Sequence, residues 1–278
     1  MENMLFRNWA ASLLFTLHLG FNSVTAQNEP LKVTFVSTTF TYTSESEDPN
    51  IPAIVDKAVS LTDGKIQPTY LRMSDPRGWK EFLSQGEICL FDKIKTPERQ
   101  KVAYYSKFPK DIYPPQRLYV RPGVVSQFEN VKSLEQMLAE TKLVIGIAGS
   151  VNYGTDIMPV IAKYYHRFFV LSSATDHEAT LDKMLRSKRI DGILRSGAAD
   201  WAGHKDFVQI PIEEADPAIL GYIICPKSDR GRKIINIIDE AMAKPEFQTF
   251  ILKTHLETFH QSEHVFLRKQ FEEIYGNR

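Results

Sequence analysis

Residues 87–121 read EICLFDKIKTPERQKVAYYSKFPKDIYPPQRLYVR, and the reading of this stretch decides the fold. It begins with a short apolar run, Ile88-Cys89-Leu90-Phe91, which has the length and composition of a buried strand. The chain turns through Asp92 to Lys95, and Thr96-Pro97-Glu98-Arg99 then has the pattern of a helix start. Thr96 suits the cap, Pro97 the first helical position, and Glu98 the positive end of the helix. Arg99 stands in that first turn beside the strand end, where a guanidinium next to free backbone N–H groups makes a candidate anion pocket. On local pattern alone, a solvated surface arginine is the simpler reading. At the far end, Leu118 to Val120 reads as a short strand punctuated by Arg121-Pro122-Gly123, an exit from the first folding unit.

Upstream, Leu31 to Ser37 is rich in β-branched and aromatic residues and reads as a first buried strand. Thr38 to Asn50 is a polar loop, and Ile51 to Leu61 carries Ile54, Val55, Ala58 and Val59 at helical spacing. Ile66 to Met73 is a second strand that Pro68 assigns to a sheet edge, and Arg77 to Ser84 is a short helix with Trp79, Phe82 and Leu83 on one face. Strand–helix–strand–helix–strand predicts a mostly parallel sheet flanked by helices. Downstream, helices over Ser133–Glu140, Tyr153–Arg167 and Ala174–Arg186 alternate with strands over Leu143–Ile147, Phe168–Leu171 and Ile190–Leu194, with Pro159 shortening or kinking the middle helix. This is a second α/β unit. Ile219 to Cys225 is a strand that does not fit it; laid against the first sheet, it brings Cys225 toward Cys89. Helices over Gly231–Ala243 and Phe247–Phe271 follow. The expected organisation is an α/β chain of two lobes, 27–120 with 218–278 and 121–217, joined by crossing segments near 120–122 and 216–219.

The 278 residues carry 34 basic and 34 acidic side chains, so nothing in the charge favours nucleic acid or an anionic membrane surface. Residues 1–26 have the pattern of a cleaved export signal: Arg7, an apolar core from Ala10 to Phe21, and Val24 and Ala26 at the −3 and −1 positions before Gln27. An uncleaved anchor is the alternative. No cysteine follows the core, so no lipid attachment is expected; in a bacterium with two membranes the destination is the periplasm. Cys89 and Cys225 are the only cysteines. Export permits a bridge between them, and two buried free thiols are the other reading. His260 and His264 are four apart and lack a third ligand, so a solvated helix face is expected for His255–His264 rather than a metal site. Neither a cofactor nor a metal is expected, and no nucleophile or phosphate-loop motif stands in the chain.

The segments Lys95-Thr96-Pro97-Glu98-Arg99, Tyr104-Tyr105-Ser106 with Pro109, Gly149-Ser150-Val151-Asn152-Tyr153, Lys188-Arg189-Ile190-Asp191-Gly192, and Cys225-Pro226-Lys227 with Gly231 occur in an order that resembles the bacterial extracellular solute-binding protein family 3. The resemblance covers nearly the whole chain after residue 26. It implies the two-lobed type II periplasmic-binding-protein fold, with two mostly parallel sheets, helices on their faces and a two-segment hinge. It also implies the function of that family: capture of a small carboxylate-bearing solute, amino-acid-like or more anionic, for the permease of an ABC importer in the inner membrane, by a monomer without catalysis. By the same resemblance Arg99 and Thr96 take the ligand carboxylate, Gly149 and Ser150 offer backbone N–H groups, and Phe40 packs on the ligand. Where the family has a hydroxyl residue and an Asp, this chain has Ile94 and Ser196, with Arg195 beside the latter; Asp92 is then a substitute acceptor, and two arginines favour a more anionic solute. The rival readings are a dehydratase-like enzyme using Glu98 and Asp92, and an orphan sensor that docks on a receptor.

Overall fold

The computed structural model of the protein describes residues 29–37, 50–128, 131–149, 151–172, 177–196 and 206–276. In chain order these form β1 (Leu31–Ser37), α1 (Asn50–Ser60), β2 (Ile66–Arg72), α2 (Asp75–Gln85), β3 (Ile88–Lys93), α3 (Pro97–Val102), β4 (Ala103–Tyr105) and β5 (Asp111–Tyr113). Then come β6 (Gln116–Val120), α4 (Leu134–Glu140), β7 (Ile145–Ala148), α5 (Ile157–Lys163), β8 (Phe168–Leu171), α6 (His177–Arg186), β9 (Gly192–Ser196) and β10 (Val208–Pro211). The chain ends in β11 (Ile219–Pro226), α7 (Asp229–Met242), α8 (Pro245–Thr258) and α9 (His264–Phe271). The proposed export signal, the polar segment 38–49 with Phe40, and Ser150 lie outside the described residues.

Two sheets organise these elements. The first has the order β2-β1-β3-β11-β4, with β5 also paired to β11; the second has the order β10-β6-β9-β7-β8. β1 pairs in parallel with both β2 and β3, as right-handed strand–helix–strand crossovers require. Pro68 lies in β2 at the sheet edge, where its missing N–H deprives no ladder. β11 runs antiparallel to β3, β4 and β5. In the second sheet β7 is parallel to β8 and β9, while β6 is antiparallel to β9 and β10. Both sheets are therefore mixed rather than mostly parallel. The antiparallel members are the strands adjoining the crossings, where the chain arrives from the other sheet instead of through a covering helix.

Each sheet has its own core. On one face of the first, Val33, Phe35 and Cys89 meet Ile54, Val55 and Ala58 of α1 and Ile234, Ile238, Phe247 and Ile251 of α7 and α8. Phe82 of α2 covers Val36, Leu90 and Ile224 on the other. In the second, Leu118, Val120, Ile145 and Leu194 pack against α4 and α5, and Tyr119 and Ile193 against Leu181 and Leu185 of α6.

Two expectations need correction. β6 belongs to the second sheet, in register Leu118↔Leu194 and Tyr119↔Ile193, with Leu118 and Val120 in its core. The first crossing is thus Pro114-Pro115, not Val120–Pro122; two consecutive prolines fix φ and break the ladder between β5 and β6. The helix expected over 153–167 is only Ile157–Lys163, followed by a single 3₁₀ turn. Pro159 falls in its first turn, where a missing N–H removes no intrahelical bond. The segment between β10 and β11 includes Asp216–Ala218.

Cys89 and Cys225 are disulfide-bonded, with Cα atoms 4.3 Å apart and 136 positions between them in sequence. The bond ties β3 to the returning β11. In the chain-entropy account a loop of this length contributes about 4–5 kcal/mol. The Cys89→Ala/Cys225→Ala double variant is expected to lower the thermal midpoint by more than 5 °C, and reductant to do the same to the parent but not the variant. A scanning-calorimetry trace unchanged by reductant would remove the bond from the stability account.

Candidate ligand-binding site

The two sheets face each other across a cleft of about 390 Å³. Three segments line it. From the first half come Ile94, Lys95 and Thr96, between β3 and α3, and Pro97 and Glu98 at the start of α3. From the second come Asn152, Gly154 and Thr155, between β7 and α5, and Met158 in the first turn of α5. The floor is the second crossing and the start of β11: Asp216, Ala218, Ile219, Leu220 and Tyr222. Both halves and the segment between them therefore meet at one cavity.

The first wall is shaped by the cap of α3. Thr96 Oγ1 accepts from Arg99 N at 3.3 Å, and Pro97 occupies the first turn. Glu98 is exposed, and its own backbone N–H together with the Thr96 hydroxyl hold its carboxyl below the usual range. Lys95 Nζ lies 4.0 Å from the centroid of Tyr222, whose ring meets Tyr105 edge-on at 5.9 Å. Burial against these rings draws the Lys95 pKa down, partly offset by Asp239. A partly dehydrated ammonium in a cleft is a ready partner for an anion.

The opposite wall contains Gly154, whose φ of +103° no L side chain adopts at low cost. A Cβ at that position would stand 2.5 Å from Asp216 Oδ2, so the Asp216 carboxylate rests in the space a side chain would take. The crossing that bears Asp216 is anchored by Glu214, which accepts from Ser133 Oγ at 2.6 Å and from Leu134 N at 2.8 Å at the start of α4. Burial opposes ionisation of Glu214, but these bonds outweigh it and hold its pKa below the ordinary value.

Under the floor lies a buried ion cluster. Lys110 Nζ is 2.5 Å from Asp92 and 2.6 Å from Asp111, and all three side chains are almost fully enclosed. Burial pushes Asp111 well above the carboxylate range; for Asp92 burial is again the largest effect and acts the same way, but the Lys110 charge and the hydrogen bonds from Asp111 and Lys110 together outweigh it and the pKa falls. Gly221 makes room for the cluster, since a Cβ there would meet Asp111 Oδ2 at 3.0 Å. Behind it, Ile112 N donates to His255 Nε2 at 2.9 Å, and His255 Nδ1 bonds Ile251 O at 2.8 Å. On the outer side of the first crossing, Arg117 of β6 holds Glu263 through two bonds of 2.5 and 3.0 Å, joining the second sheet to the C-terminal segment.

The predicted site residues separate. Thr96 lines the cleft. Arg99 does not: its guanidinium lies 4.9 Å from the Trp79 ring centroid and donates to Ile94 O at 3.3 Å. Gly149 spends its N–H on Leu171 O at 3.0 Å. Asp92 belongs to the buried cluster, which also removes one of the two carboxylates a dehydratase would need. Arg195 is neither a cleft residue nor an exposed rim charge; it is buried over Tyr119 and paired with Asp182 and Glu178 of α6. Ser196, at the end of β9, gives its carbonyl to Tyr119 Oη at 3.3 Å. His255 is buried in the core, not on a solvated face. Sequence reasoning missed Lys95, Asn152, Gly154, Asp216 and Tyr222. The available signals were Asp-Pro at the second crossing and a lysine just before the cap.

Two mixed sheets, two crossings and a cleft lined from both sides define the two-lobed type II periplasmic-binding-protein fold. Solved structures share it. A putative L-cystine ABC transporter protein from Listeria monocytogenes superposes with a TM-score of 0.64 at 13% identity, covering 84% of this chain and 97% of that one. An ancestral arginine-binding protein bound to arginine gives 0.60 at 17% identity, covering 84% and 100%. An ancestral amino acid-binding protein described as a precursor of cyclohexadienyl dehydratase gives 0.58 at 13%, covering 82% and 95%. No protein-family model and no curated protein sequence matches the chain. At these identities the likeness carries the fold.

Burial lowers the His255 pKa to about 4, against an ordinary 6.5, and Lys110 adds to the effect. Protonating both ring nitrogens would also remove the acceptor for Ile112 N. Between those two values the unfolded chain binds the extra proton and the folded chain does not. Stability is therefore full above about pH 6.5 and falls as pH drops toward 4, by up to about 3 kcal/mol from this group. His255→Gln keeps an acceptor and does not titrate, so its thermal midpoint should fall less than the parent's between pH 7.5 and 4.5. Equal falls would exclude His255 as the source.

Proposed function

We propose that this chain is an exported solute-binding protein. It captures a small solute bearing a carboxylate by closing its lobes over it, and delivers that solute to an ABC importer permease. The observation that carries the reading is the cleft itself: residues from both halves and from a crossing line one cavity of about 390 Å³, a volume suited to a ligand of a few to a dozen heavy atoms. Lobe closure around such a cavity needs only a difference in ligand contacts between open and closed states. The lobes in this reading are 27–115 with 218–278, and 116–217, because β6 pairs in the second sheet. A disulfide between buried strands and the pattern of residues 1–26 support an oxidising destination such as the periplasm. Lys95 with Thr96 takes the ligand carboxylate in this reading, the role first assigned to Arg99.

The test is calorimetric titration of the mature chain with amino acids and dicarboxylates, with small-angle scattering to follow closure. A carboxylate-bearing solute is expected to bind one-to-one and to reduce the radius of gyration. Lys95→Ala should weaken it at least tenfold, and Arg99→Ala should weaken it less. If Arg99→Ala abolishes binding while Lys95→Ala is silent, the assignment of the carboxylate is wrong; turnover of the solute would overturn the binding-only reading.

A further inference from the structure

We infer that Asp216 is the acceptor for a cationic group of the bound solute, so that the cleft selects solutes bearing an ammonium or guanidinium group. This rests on the solute-binding reading above. The charged side chains lining the cleft are Lys95, Glu98 and Asp216. Two of the three already have local partners: Lys95 stacks on Tyr222, and Glu98 is held by its own N–H and by Thr96. Asp216 makes no hydrogen bond or ion pair with another described residue. It is half-buried, and a carboxylate in that position gains from a charge-assisted hydrogen bond only when something enters the cleft.

Its placement is built rather than incidental. The residue before Pro217 is confined to extended backbone. The segment is fixed on one side where Glu214 caps α4 and on the other where Ile219 enters β11. The carboxylate then sits in the recess left by the missing side chain of Gly154, across the junction of the two lobes. A cation bonded to Asp216 touches the crossing segment and the wall of the second lobe together. The same contact that gives selectivity therefore favours the closed state. With both arginines withdrawn, to Trp79 and to α6, the lining carries two carboxylates against one ammonium. A solute with an acidic and a basic group, or a simple organic cation, matches that balance better than a dianion.

The experiment is isothermal titration of the full mature chain with four probes: arginine, cystine, putrescine and succinate. Probes with a cationic group are expected to bind and succinate not to. Asp216→Asn should weaken the cationic probes at least tenfold, Asp216→Glu by less, and the thermal midpoint of Asp216→Asn should stay within about 2 °C of the parent. Gly154→Val, which pushes the carboxylate out of its recess, should reproduce the loss. Unchanged binding of a cationic probe by Asp216→Asn, or binding of succinate alone, overturns the Asp216 assignment and leaves the solute-binding reading in place. Failure of every probe to bind the parent, with no small molecule found by native mass spectrometry of freshly purified protein, overturns both.

Discussion

The antiparallel pairing of β11 with β3 is the constraint on which the rest of the molecule depends. β11 is the strand by which the chain returns from the second sheet. It completes the first sheet, shares its core with α7 and α8, and supplies alternate residues to two different places. Leu220 and Tyr222 face the cleft, while Gly221 leaves room for the ion cluster beneath. A one-residue slip would exchange these faces, placing Tyr222 on Asp111 and a glycine in the cleft. The bond between Cys89 and Cys225 holds the register, and the irregularity between Tyr222 and Ile224 is absorbed between that bond and the cleft.

Charge is distributed in the protein by how well each group is enclosed. The two arginines that the sequence pattern offers to a ligand are consumed by the fold, Arg99 by an aromatic ring and a carbonyl and Arg195 by two carboxylates of α6, and Arg117 is held by Glu263. Two aspartates and a lysine are sealed beneath the floor, where breaking one partner would leave an uncompensated buried charge. The charges that face the cleft are few and come from short segments held at both ends.

Much of this was legible in the sequence. Periodicity gave the β1-α1-β2-α2-β3 series, the second α/β unit and the displaced strand Ile219–Cys225, and that strand brought the two cysteines together. The crossing at Pro114-Pro115 was harder to read because Leu118 to Val120 looks the same in either sheet: three apolar residues carry no record of which strand they pair with. The short strands β4, β5 and β10 have three or four residues each, too few for any period to register. The site was less legible than the fold. A motif locates a residue on an element, as it did for Thr96 and Arg99, but not the rotamer that turns Arg99 to Trp79. Lys95, Gly154 and Asp216 meet only through tertiary structure, from segments about 60 positions apart or more.

The link between Cys89 and Cys225 has a topological consequence. It closes a covalent ring that contains α3, both crossings and the whole of the second lobe. The ring leaves the first sheet by one crossing, returns by the other, and is closed by a single bond in that sheet's interior. Cutting the ring anywhere, in the segment 197–205 or at the prolines of the first crossing, leaves two polypeptides still joined through the centre of the first sheet. Loss of structure in the second lobe therefore leaves β11, which makes part of the floor of the cleft, covalently tied to β3.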